Sequence, residues 1–199
     1  INKMNVPNTS WSFKLDHVHT YAFVENFLTK EECEYLIKIG KEQSLKDATV
    51  FIGNKLGKSS VRESNISWVY PDDDTNWLFR KLVDSITALN SQYFKFDLTG
   101  FNEGLQFTNY IAPSGHYGTH VDNCFNRAIR KLSLTIQLSD PSDYEGGDLK
   151  LFTGSKPFVA KKTQGMLYAF PSYVLHEVTS VTKGERNSLV GWITGPNFK

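Results

Sequence analysis

The chain has 199 residues, and its 22 Lys and Arg against 21 Asp and Glu leave a formal net charge of +1. That length can bury a core without disulfides or a structural metal. The even charge balance argues against a basic nucleic-acid binder, and no apolar run approaches the ~18 residues of a membrane span. Two cysteines, Cys33 and Cys124, stand far apart in no metal-ligating spacing. With no secretory segment visible at the start, they point to a reducing, cytoplasmic setting. The chain opens on Ile1, as a trimmed N-terminus would.

Residues before about Thr20 are polar and aromatic and read as an edge strand or an arm, with His17 and His19 at the surface. In FVENFLTKEECEYLIKIGKE, Thr29 and Glu32 form a capping-box pair, and Cys33, Leu36, Ile37 and Gly40 recur at helical spacing. Together they predict a helix from about residue 30 to 43. FIGNKLGKSSVRES, rich in glycine, serine and charge, reads as a long exposed loop. SWVYP predicts a short strand ended by proline. DDDTNWLFRKLVDSITALNSQYF predicts a second helix, with Leu78, Leu82, Ile86 and Leu89 on one face and three acids at its N-terminus.

From Gly104 the apolar period changes to two. GLQFTNYI, KLSLTIQL, DLKLF, GMLYAF, VLHEVTSV and SLVGWIT all predict strands, with turns at PSG, DPSDYEGG and TKGE. Short strands in succession without helices between them predict a sandwich or barrel. The expected class is α+β, mainly β, as one domain over residues 1–199. Supporting helices would fill roughly residues 22–97 and the β core roughly residues 100–196.

The stretch GTHVDN sets His120 two residues from Asp122. In an extended segment both side chains share a face, with Val121 pointing the other way into the core. A third ligand has to come from the remaining histidines, 17, 19, 116 and 176. His176 lies mid-strand among Val174 and Val178, where it is either a satisfied core histidine or a ligand in a β-barrel mouth. Two imidazoles and a carboxylate on one face of an octahedron make the facial triad of non-haem iron oxygenases. His116 is four residues before His120, but Pro113, Ser114, Gly115 and Gly118 work against a helix there, so it reads as a loop residue near the mouth. A cosubstrate diacid would need a cation some distance from the metal. Arg186 is suited to that because its planar fork pairs with a carboxylate bidentately, and Ser188 shares its face. If TKGE is a tight turn that pairs Val181 with Arg186, the arginine backbone lies ~16 Å from His176 at ~3.3 Å per residue.

His120-Val-Asp122, His176 and Arg186 ten residues further on resemble the signature of the Fe(II)- and 2-oxoglutarate-dependent dioxygenases. NFLTKEECEYLI and LQFTNYIAPSGHYGTHVDN resemble their prolyl 4-hydroxylase branch. LSDPSDYEGGDLKLF and FPSYVLHEVTSVTKGERNSLVGWI resemble that branch's PKHD-type hydroxylases. The likeness runs over roughly residues 22 to 195 and is most specific in the C-terminal motifs.

The resemblance implies a double-stranded β-helix (jelly-roll) core with N-terminal supporting helices. It implies Fe(II) held by His120, Asp122 and His176, and Arg186 on the far carboxylate of 2-oxoglutarate. Tyr110 would hydrogen-bond the cosubstrate, Trp192 would line the pocket, and Arg130 would lie near the substrate. Gln137 stands where animal oxygen-sensing relatives carry a second cosubstrate-binding tyrosine, and its amide could still donate a bond. Arg62 and Ser64 fall in a segment, residues 53–65, that covers substrate in prolyl hydroxylases; it also reads as an ordinary flexible loop.

The implied reaction is hydroxylation of a peptidyl substrate, proline to 4-hydroxyproline. O₂ is the second cosubstrate, succinate and CO₂ are co-products, L-ascorbate is the reductant, and a proline-containing peptide or protein is the partner. Three alternatives stay open at this stage. The same chemistry could act on a lysyl residue, a free amino acid or a nucleobase. A zinc hydrolase could use the same triad around an activated water, leaving Arg186 and Tyr110 without a task. A jelly-roll binding module could carry the triad as a relic.

Overall fold

The computed structural model describes residues 19–43, 45–48, 50–52, 55–57, 60–122 and 129–197. His17, most of the expected N-terminal arm and Cys124 lie outside the described residues. In chain order the elements begin with β1 (Ala22–Val24), α1 (Lys30–Glu42), β2 (Lys46–Asp47), β3 (Val50–Ile52), β4 (Lys55–Gly57), β5 (Arg62–Glu63), β6 (Asn65–Val69) and α2 (Asn76–Leu89). There follow β7 (Gly100–Phe101), β8 (Leu105–Ile111), β9 (His116–His120), β10 (Arg130–Gln137), β11 (Tyr144–Gly146) and β12 (Leu149–Leu151). The chain closes with β13 (Phe158–Val159), β14 (Leu167–Pro171), β15 (His176–Val178) and β16 (Val181–Thr194).

The first helix forms where the capping box stands. Thr29 Oγ1 accepts from Glu32 N–H at 3.2 Å, and Glu32 Oε2 accepts from Thr29 N–H at 2.8 Å. The second helix corrects one expectation. Asp72, Asp73 and Asp74 precede it, and its first turn carries no acid. Asp72 Oδ1 instead accepts from the N–H groups of Asp74 and Thr75, tying the approach to the helix. A second correction concerns FIGNKLGKSSVRES. Within it β3 and β4 pair as a hairpin and β5 pairs with β9, so the stretch is not one long loop.

A third correction is larger. TKGE is not a turn: β16 runs unbroken through it from Val181 to Thr194. Its N-terminal part pairs with β11 and then, from Glu185, with β8. Arg186 therefore stands opposite Tyr110 rather than Val181.

Two antiparallel sheets face one another as a double-stranded β-helix. The larger runs β1-β14-β10-β16-β8-β6-β2, and the smaller runs β13-β12-β15-β9-β5. Both faces of the larger sheet are covered. On its outer face Leu105, Phe107, Leu132, Leu134 and Ile136 pack with Leu36 of α1 and with Leu78, Leu82 and Ile86 of α2. Each fully buried apolar side chain of this size contributes roughly 1.5–3 kcal/mol. Its inner face carries Gln106, Thr108 and Tyr110 on β8 and Ser133, Thr135 and Gln137 on β10, all buried. Period-two alternation thus sends the apolar set to the helices and a polar set to the space between the sheets.

Candidate metal centre and cosubstrate cavity

His120 closes β9, His176 opens β15, and the two residues are cross-strand partners. Asp122 follows two residues after His120, its backbone N–H donating to Ser172 O at 3.0 Å. His120 Nε2 lies 3.6 Å from Asp122 Oδ1, and His176 Nε2 lies 3.5 Å from Asp122 Oδ2. One donor atom from each of the three residues lies within 4.8 Å of the others. Val121 departs from the expected core position: it is 43% exposed and borders the cavity mouth.

The hydrogen bonds behind the imidazoles settle their tautomers. His120 Nδ1 faces Gly118 O at 2.8 Å, and His176 Nδ1 faces Val174 O at 2.9 Å. A carbonyl oxygen only accepts, so each Nδ1 carries a proton, which leaves Nε2 as the nitrogen that would present a lone pair to a metal beside Asp122. Burial, and then the neighbouring His176, push His120 down to about 4 against the pull of Asp122, so the ring is neutral at pH 7. Burial opposes ionisation of Asp122, yet the imidazoles of His176 and His120 and the Ser133 hydroxyl outweigh it and hold the carboxyl below its usual range. Ser133 Oγ donates to Asp122 Oδ2 at 2.7 Å. Two imidazoles and one carboxylate, each oriented from behind, are the donor set that suits Fe(II).

These groups open onto a cavity of about 340 Å³, within the usual range for a small-ligand site. Arg186 lines it too, only 1% exposed. Its Nη2 donates to Gln137 Oε1 at 2.9 Å and its Nη1 to Ser188 Oγ at 3.4 Å, with the Tyr110 ring 5.2 Å away. Among the described residues no carboxylate pairs with this guanidinium, and its Nε–H has no partner. The turn carrying Gly147 lies against it; φ there is +62°, and a Cβ would stand 2.9 Å from Arg186 Cδ. Glycine is what lets that turn pack so closely.

The other residues singled out from the sequence divide clearly. Tyr110, Ser188, Trp192, Arg130 and Arg62 line the cavity with the triad and Arg186. Gln137 does not line it and meets it only through Arg186. Arg130 pairs bidentately with Glu103, at 2.8 and 2.7 Å, and lies 3.7 Å over the Trp192 ring. Arg62 donates to Ser64 Oγ at 2.9 Å and to Gln106 Oε1 at 2.8 Å, and lies 4.4 Å from the Tyr117 ring centroid. His116 opens β9 rather than sitting in a loop, and it borders a separate surface cavity beside β5.

Sequence reasoning missed Glu103, Gln106, Tyr117, Ser133 and Tyr144. Gln106 shares strand parity with Tyr110, and Ser133 shares it with Gln137, so both were within reach of the period-two pattern. Tyr117 was not, for a reason of register: three residues on β9 span what two span on β15, so Tyr117 pairs with Val178 across an irregularity. The extra residue turns Tyr117 toward the side of His120.

The profile of the 2OG-Fe(II) oxygenase superfamily matches residues 105–194, which hold the triad, Arg186 and the strands that carry them. A PKHD-type hydroxylase of Prochlorococcus marinus strain MIT 9312 is 34% identical over 181 residues, 84% of this chain and 77% of that protein. The chain belongs to the 2OG-Fe(II) oxygenase superfamily, in its PKHD-type branch. A PKHD-type hydroxylase of P. marinus strain NATL2A is 41% identical over 115 residues, 57% of this chain. The chain spans about half the length of that relative and of its strain NATL1A counterpart, 52% and 44%.

Among solved structures, a Pseudomonas putida prolyl-4-hydroxylase aligns with a TM-score of 0.71 at 23% identity, over 90% of this chain and 94% of that one. A Trichoplax adhaerens prolyl hydroxylase, in complex with a peptide fragment of the hypoxia inducible factor oxygen degradation domain, aligns at 0.74 and 18% over 88% and 84%. At these identities the likeness establishes the double-stranded β-helix fold. The oxygenases of this superfamily work with Fe(II), 2-oxoglutarate and O₂, and the His120, Asp122 and His176 donors of this chain suit the iron. Among its described residues no helix is long and apolar enough to cross a membrane.

Proposed function

We propose that the protein is a 2-oxoglutarate-dependent dioxygenase that hydroxylates a peptidyl substrate, proline to 4-hydroxyproline, and that residues 1–199 form its single catalytic domain. The observation that carries this reading is the pairing, in one cavity, of converging imidazoles with a buried guanidinium that has no carboxylate partner among the described residues. An unpaired buried charge is strongly destabilising, so its retention here favours an acidic ligand. A 2-oxoglutarate molecule supplies both halves of what the cavity asks for, an α-keto acid for the metal and a distal carboxylate for Arg186.

In this reading His120, Asp122 and His176 hold Fe(II), and Arg186 with Ser188 holds the far carboxylate. Iron bound there supplies activation of O₂ coupled to oxidative decarboxylation of the cosubstrate to succinate and CO₂. The chain's own residues orient and enclose. Tyr110 donates its hydroxyl to the cosubstrate, and Ser133 fixes the Asp122 carboxylate. Apolar walls from Trp192, Phe170 and Val178 exclude water from the reacting centre. Arg130 and Arg62 also line the cavity, and an extended peptide would enter beside them.

The peptide assignment draws on the prolyl hydroxylases that share the fold. A buried free Cys33 fits a reducing cytoplasmic setting. The test is incubation with Fe(II), 2-oxoglutarate, L-ascorbate and a proline-rich peptide. The expected result is succinate together with a peptide heavier by one oxygen atom at proline. Succinate without peptide oxidation would redirect the search to lysyl residues, free amino acids or nucleobases. Metal-dependent hydrolysis without succinate would favour the zinc reading.

A further inference from the structure

Arg186 keeps its positive charge at any working pH, and it is nearly inaccessible to solvent, at 1% exposure. Its hydrogen-bond and ring partners among the described residues are uncharged. Gln137 Oε1 accepts from Nη2 at 2.9 Å, Ser188 Oγ accepts from Nη1 at 3.4 Å, and the Tyr110 ring stands 5.2 Å away. The Tyr144 phenol is also close; burial raises its pKa more than the neighbouring guanidinium lowers it, so it stays neutral. The tightest of these contacts is the one to Gln137, which is itself 3% exposed and does not line the cavity.

Glutamate has the size and shape of glutamine. In this place it would set a carboxylate against the guanidinium and complete a buried ion pair. Glutamine makes the same contact and leaves the charge uncompensated. We propose that Gln137 is a positioning residue that aims Arg186 into the cavity while keeping the place of its counter-ion vacant for the carboxylate of an acidic ligand. The proposal rests on reading this cavity as the 2-oxoglutarate site.

The test compares the native protein, Gln137→Glu and Gln137→Leu, each loaded with Mn(II), by thermal unfolding without cosubstrate and by calorimetric titration with 2-oxoglutarate. Gln137→Glu is expected to raise the ligand-free unfolding midpoint, because it supplies the missing counter-ion. It is also expected to weaken 2-oxoglutarate binding on the order of 100-fold, because the ligand now competes with an internal carboxylate. Gln137→Leu removes the acceptor without adding charge. It should lower the midpoint and weaken binding only on the order of 10-fold.

The proposal is overturned if Gln137→Glu lowers the midpoint as Gln137→Leu does, fails to fold, or binds 2-oxoglutarate within about threefold of the native protein. A native protein that does not bind 2-oxoglutarate overturns the cosubstrate reading instead. The sign of the midpoint change in Gln137→Glu still tests the Arg186 relationship in that case.

Discussion

The ring of Tyr117 lies flat against the imidazole of His120, with centroids 3.5 Å apart and planes 14° from parallel. Gly118 O fixes the Nδ1 edge of the same imidazole at 2.8 Å. One contact sets which nitrogen carries the proton, and the other sets the plane of the ring. Removing Tyr117 should leave His120 with its tautomer but without its plane. Tyr117→Ala is expected to weaken Mn(II) or Fe(II) affinity by about 10-fold, within the range for groups that orient metal ligands, and Tyr117→Phe should retain nearly all of it. Metal titration by calorimetry distinguishes the two.

Ser133 plays the matching part for the carboxylate. Its hydroxyl donates to Asp122 Oδ2 at 2.7 Å from within the sheet. Ser133→Ala removes a hydrogen bond to a buried charge and lets the carboxylate rotate. Metal affinity should fall about 10- to 100-fold, with no change in far-ultraviolet circular dichroism.

The metal-free protein should lose stability in mild acid. Its His120 is depressed to about 4 from 6.5, chiefly by burial. Between those values the unfolded chain takes up a proton that the folded chain refuses. The stabilisation is therefore complete above pH 6.5, declines as pH falls, and is gone below about pH 4. The shift corresponds to about 3 kcal/mol, measurable as a fall in the urea midpoint between neutral pH and pH 4 to 5. His120→Gln should flatten that decline.

Arg186 sets function against stability. Replacing it with methionine removes a buried charge that has no carboxylate partner among the described residues and leaves an apolar chain of similar length. Arg186→Met should abolish 2-oxoglutarate-dependent turnover while unfolding at the native temperature or higher, by up to about 1–4 kcal/mol of added stability. A large loss of thermal stability would show that the guanidinium's neutral hydrogen bonds matter more than its unpaired charge.

Gly40 marks where α1 presses closest to the larger sheet. A Cβ there would clash with the ring of Phe107, a fully buried residue of β8. Gly40→Ala should cost about 1–3 kcal/mol through overpacking, even though alanine is the better helix former. Thermal unfolding measures it, and the smaller, ring-free side chain in Phe107→Leu should recover part of the loss.

How much of this protein could be read from its sequence depended on the range of the forces involved. The Thr29–Glu32 capping box and the apolar stripe Leu78, Leu82 and Ile86 act within one or two turns, so the residues themselves determined both helices. Period-two alternation determined which side of β8 and β10 would be polar. The spacing of His120, Asp122, His176 and Arg186 pointed to the residues that the fold brings to one candidate site. The larger corrections lie where a partner strand decides. TKGE has the composition of a turn, yet β8 and β11 supply backbone partners along it, and satisfying those hydrogen bonds keeps it extended. Local parity sets Tyr117 on the opposite face from His120, and only the irregular register with β15 brings the two rings together. Gln137 stands forty-nine residues from Arg186 in the chain. Whether it would face the cavity or back the arginine was settled by the pairing of β10 with β16, which no local pattern encodes.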